Sequence, residues 1–178
     1  MKKLKLIILG IVGLCVLLFA VILIIPTAEP SNAPAVAVEI SATIAPRDKL
    51  QAAFEILGFT FSPSDPINEL PTIKGVSPDG FAQLYLVGDS SATYIIDLLN
   101  LSDEEIELRN LDVGILFLTI DSTTWEIALD WFVLQTQTAG NSTSDFYNNA
   151  IVMNGIKYQF LYDLSLSVLF LTVSPPSE

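Results

Sequence analysis

In 178 residues the chain carries 20 acidic against 8 basic side chains and no histidine. A net charge of −12 repels phosphate backbones, whose affinity for proteins rests on Lys and Arg, so nucleic acid is excluded as a partner. Without histidine the commonest general base and transition-metal ligand are gone, and the single cysteine, Cys15, offers neither a disulfide framework nor a Cys-His pair.

At the N-terminus, Lys2, Lys3 and Lys5 precede an unbroken apolar run from Leu6 to Ile25, closed by Pro26. A helix of that length spans about 30 Å, the hydrocarbon thickness of a bilayer. Residues 1–25 are therefore read as a single transmembrane anchor, with the lipid bilayer as partner through residues 6–25. The basic flank places the N-terminus in the cytoplasm and the rest of the chain outside. The rival reading is a cleaved signal peptide. Its apolar stretch normally runs about 7–15 residues, and a possible small-x-small site, Ala35-Val36-Ala37, lies well beyond Ile25. Cys15 is read as a lipid-facing or packing thiol.

Residues 26–46, with Pro26, Pro30, Pro34 and Pro46, form a tether biased toward extended backbone. Its alternating Val36, Val38, Ile40, Ala42 and Ile44 also suit an edge strand. The remaining 132 residues, 47–178, hold 5 basic against 18 acidic side chains and are rich in Leu, Ile, Phe and Val. That composition folds. A disulfide-free outer domain suits a bacterial or archaeal surface.

Within it, Asp48 caps a helix over 48–57 that Gly58 ends, and a proline-rich loop runs from Phe59 to Pro71. Strands are expected at 72–76, 81–87 and 92–99, separated by Ser77-Pro78-Asp79-Gly80 and Gly88-Asp89-Ser90-Ser91. Ser102 with Glu105 makes a capping box that opens a helix over 103–120, although Ile115–Ile120 reads equally as a buried strand. Thr123 with Glu126 makes a second box, opening a helix over 124–139 with Trp125, Ala128, Leu129 and Phe132 on one face. Strands 146–153 and 156–162 flank Asn154-Gly155, the strongest short hairpin signal, and a last run spans 164–173.

Two αβββ halves joined by helix 103–120 give an α+β fold: an antiparallel sheet of about six strands backed by two or three helices. Such a two-fold helix-plus-sheet plan resembles the TATA-binding-protein-like and helix-grip superfolds, a likeness of architecture that carries no function.

No catalytic motif, metal spacing or cofactor loop occurs. The acidic Asp103, Glu104, Glu105 and Glu107, with Asp112 further on, read as a dipole-favoured helix start and not as a calcium loop. Asp79 and Asp89 are turn residues. Aromatic side chains remain as candidates for an interaction surface: Trp131, which departs from the 125/128/129/132 stripe, and the strand tyrosines Tyr85 and Tyr158. The expected role is a non-catalytic, membrane-anchored binding module for a protein or small molecule. The alternatives are a hydrolase using paired carboxylates and an accessory subunit of a membrane complex, although Gly10 and Gly13 of the anchor are three apart, one short of the four-residue spacing that lets helices pack closely.

Overall fold

In the computed structural model, residues 45–99 and 101–176 are described. The anchor, the tether up to Ile44 and the expected strand at 36–44 lie outside them. Among the described residues, no helix is long and apolar enough to cross a membrane.

Helix α1, Arg47–Ile56, buries Leu50 and Phe54 at a spacing of four and takes Pro46, not Asp48, as its N-cap residue. Proline serves there because the Pro46 carbonyl accepts from the Lys49 amide (2.9 Å), while Asp48 sits in the first turn, where a negative charge suits the dipole. Gly58 ends the helix at φ +87, and a Cβ there would meet Pro78 Cγ at 2.9 Å.

The stretch expected as a loop is instead strand β1, Thr60–Ile67, and the start of β2, Leu70–Val76. Asn68 and Glu69 join them with φ of 50 and 65. Two prolines hid this strand. An edge strand tolerates them, because its outward amides owe no ladder bond. The chain continues through β3 (Ala82–Val87) and β4 (Ser91–Asp97), then α2 (Asp103–Ile120) and α3 (Trp125–Gly140). It closes with β5 (Phe146–Met153), β6 (Ile156–Asp163) and β7 (Val168–Ser174). The strands form one antiparallel sheet in the order β1-β2-β3-β4-β7-β6-β5. The sheet therefore has seven strands, not about six, and the halves are unequal: one helix with four strands, one with three. They join where β4 pairs with β7.

The capping box on α2 forms in both directions: Ser102 Oγ accepts from the Glu105 amide (3.3 Å) and Glu105 Oε2 accepts from the Ser102 amide (2.6 Å). Residues 115–120 are helical. The second box does not form. Thr124 is the N-cap residue of α3 without a side-chain cap, because Thr123 and Thr124 both donate to Asp121, each at 2.6 Å. Residues 164–167 make a turn with Ser167 at φ 54, so the last strand begins only at Val168.

All three helices pack on one face of the sheet. Leu84 and Leu86 of β3, Tyr94 of β4, Tyr158 and Phe160 of β6 and Leu171 of β7 are buried there with Phe54, Phe117 and Phe132 from the helices. Edge-to-face aromatic pairs tie the layers together, among them Phe117–Tyr158 at 5.4 Å and Phe132–Phe160 at 5.7 Å. The β5–β6 turn places Asn154 at φ 50 and Gly155 at φ 71, the mirror-image turn that matches strand twist. Gly155→Val is expected to cost about 1–2 kcal/mol, from the left-handed penalty of a β-branched residue. Thermal denaturation followed by circular dichroism reads it.

Candidate functional site

The alternation that sends Leu84, Tyr94, Phe160 and Leu171 under the helices sends their neighbours to the opposite face. Among the described residues no helix lies on that side. Register sets its side chains in rows across the strands. One row runs Val76, Gln83, Ile95, Phe170, Leu161 and Asn148, and is mostly apolar through its middle. The next runs Lys74, Tyr85, Thr93, Thr172, Gln159 and Ala150. From Val76 to Leu161 and from Lys74 to Gln159 these side chains are half-buried by one another.

The face is polar in detail but nearly neutral in charge. Strands β2, β3, β4, β7 and β6 bring to it Lys74, Lys157, Asp97 and Asp163, two charges of each sign, in a domain that sums to −13. Lys74 Nζ lies 5.5 Å from the Tyr85 ring centroid, and the Tyr85 hydroxyl donates to Gln83 Oε1 at 3.1 Å. Thr93 and Thr172 bond across β4 and β7 at 3.1 Å. These local bonds hold the polar row rigid beside the apolar one.

The three aromatic residues singled out by sequence do not meet. Tyr85 lies on the open face. Tyr158 is 0% exposed, because it shares the helix-facing side of β6 with Ile156 and Phe160, so it is a core residue and no part of a surface. Its hydroxyl is buried without a hydrogen-bond partner, and burial together with the nearby Asp121 charge pushes it up to about 12. Trp131 is half-buried on α3 and packs against the core.

A second polar assembly lies under the helices. Arg109 and Asp112 on α2 are 5% and 4% exposed. The guanidinium reaches Asp79 Oδ2 in the β2–β3 turn at 2.9 Å and Asp112 Oδ2 at 3.0 Å, and the Tyr94 hydroxyl donates to the same Asp112 oxygen at 2.5 Å. Ser77 completes it, donating to Asp79 Oδ1 (2.6 Å) and accepting from the Ala82 amide (2.9 Å). Burial and the Asp112 charge raise the Tyr94 hydroxyl well above its ordinary value. Burial likewise pushes Asp112 up, against the pull of Tyr94 and Arg109. At Asp79, burial is outweighed by the Ser77 and Phe81 bonds and by Arg109, which together lower it. Two carboxylates thus share one cation. Each oxygen facing Arg109 is already engaged, and Asp112 has almost no contact with solvent.

Asp112 is therefore separate from the acids that open α2, and among the described residues no group of three or more His, Cys, Asp or Glu is placed to hold a metal ion. A cleft of about 120 Å³ between the end of α3 and β6–β7 is lined by Leu98, Thr136, Ala139, Phe160 and Tyr162. It is well below the roughly 300–1,000 Å³ of ordinary small-molecule sites. No family model, curated protein or solved structure matches this chain.

The apolar members of the open face, Ile95, Phe170 and Leu161, were not distinguishable by sequence, because their strands are apolar on both sides. Arg109 did leave a signal. A lone cation inside an acidic helix is a candidate for a buried ion pair.

Proposed function

We propose that the chain is a non-catalytic interaction module, held on the outer side of a membrane by residues 6–25, whose working surface is the open sheet face. One observation carries this reading. A seven-stranded sheet buries one side under helices and leaves on the other an apolar row beside a polar one, with charges that cancel in a strongly acidic domain. A flat face whose central row carries no charge suits a protein partner, since the core of an interface is depleted in charge and enriched in aromatic side chains. The small size of the α3–β6 cleft argues in the same direction.

The test is cross-linking of the full-length chain in intact membranes. The wild-type chain is expected to yield a discrete adduct whose mass differs from twice 19.4 kDa. Phe170→Asp should abolish that adduct while the variant stays folded, its melting temperature lowered by about 10 °C or less. An adduct that persists in the folded variant would contradict the assignment of the face.

A further inference from the structure

The two edges of the sheet are built differently. Strand β1 carries Pro63, Pro66 and Asp65, and its ladder with β2 slips between Ser64 and Ile67. Proline, charge and a bulge are the devices by which sheets blunt an exposed edge. Strand β5 has none of them. Its sequence, FYNNAIVM, contains neither charge nor proline, and it pairs with β6 residue for residue from Phe146 to Met153.

Register shows which backbone groups of β5 have no ladder partner among the described residues. Met153 and Ile156 flank a two-residue turn, so they exchange both ladder bonds, as does every second residue back to Tyr147. The amides and carbonyls of Phe146, Asn148, Ala150 and Val152 therefore point away from β6. Neighbouring side chains occupy two of these groups: the Ala150 amide donates to Asn149 Oδ1 (2.9 Å), and the Phe146 carbonyl accepts from Ser144 Oγ (3.0 Å).

We infer that this edge pairs antiparallel with the same edge of a second copy of the chain, about a two-fold axis at Asn149. The register is dictated by the free groups. Outward-bonding residues must face one another, which sets Phe146 against Val152 of the second copy and Asn148 against its Ala150. Phe146 and Val152, 51% and 55% exposed and on the same side of the strand, then cover each other. The cross-strand row then runs Lys157, Val152, Phe146 of the second copy and its Asp163, so no like charges face one another across the new pairing. Two domains of −13 repel, and this uncharged strip is where they meet at least cost.

The experiment uses the full-length chain carrying Cys15→Ser and Asn149→Cys, in membranes under mild oxidant. A non-hydrogen-bonded antiparallel pair sets its Cα atoms about 4.5 Å apart, within disulfide reach. A disulfide-linked dimer is expected as the major species. It should disappear on adding Val152→Lys, which puts a charge on the edge without changing the melting temperature, and Ile56→Cys (86% exposed) in place of Asn149→Cys should stay monomeric. A monomer from Asn149→Cys, a dimer indifferent to Val152→Lys, or equal dimer from Ile56→Cys would each overturn the proposal. So would an intramolecular bond between Ile40→Cys and Asn149→Cys without dimer, which would give the edge to the chain's own 36–44 segment.

Discussion

Replacing Arg109 with Ala is expected to destabilise the domain by about 3–5 kcal/mol, the cost of leaving a buried charge without its partner. Among the described residues Arg109 is the one cation within reach of both Asp112 and Asp79, and Asp112 sits beneath α2 with its other contact to Tyr94. The penalty should depend on pH with a definite sign. Burial already raises Asp112, and losing the adjacent cation raises it further. A carboxyl with a folded-state pKa above its unfolded value contributes stability that is lost as pH rises through the folded value. The variant's deficit should therefore be largest at neutral pH and shrink in mild acid. Asp79 works the other way in the wild type: its lowered pKa contributes stability above the ordinary carboxylate range, lost as pH falls through the lowered value. Urea denaturation at pH 7 and pH 5 reads Asp112 alone, because Asp79, lowered from its ordinary value, stays ionised at both. A deficit under about 1 kcal/mol at both pH values would mean that the cluster is solvated, as surface pairs are.

Phe117→Ala is the second large effect, again about 3–5 kcal/mol, or a fall in Tm of roughly 10–20 °C. Phe117 is fully buried where α2 meets α3 and the sheet, with Phe132 at 6.3 Å and Tyr158 at 5.4 Å between ring centroids. Truncation opens a cavity bounded by two rigid rings that cannot collapse inward. Phe170→Ala removes the same side chain from the open face and should cost less than half as much, because Phe170 is only half-buried there. Equal losses at the two positions would show that the second face is covered as fully as the first.

Local chemistry made much of the fold legible. Ser102 with Glu105, Gly58 and Asn154-Gly155 each impose a backbone geometry by themselves, and each appears where expected. What failed were positions where the wider structure decides. Pro63 and Pro66 read as loop until β1 is known to be an edge. Thr123 and Glu126 have the spacing of a capping box, but Asp121 accepts the hydroxyls of both Thr123 and Thr124 first. Tyr158 is the same kind of case: its side of β6 depends on register, which a strand with large side chains on both faces does not reveal. The open face was the least legible feature. Its rows join Val76, Ile95, Phe170 and Leu161 from four strands, and pairing alone brings them together.

Residues 47–178 contain no cysteine, and this makes the decisive measurement simple. In a Cys15→Ser full-length chain, Ile95→Cys places one thiol on the open face and, separately, Ile56→Cys places one on α1. A membrane-impermeant maleimide applied to intact cells is expected to label Ile56→Cys but not Ile95→Cys, while the purified chain in detergent is labelled at both. Equal labelling of the two positions in cells would show an unoccupied face, and labelling of neither would place the domain on the inner side of the membrane. Either result would contradict an outward-facing interaction module.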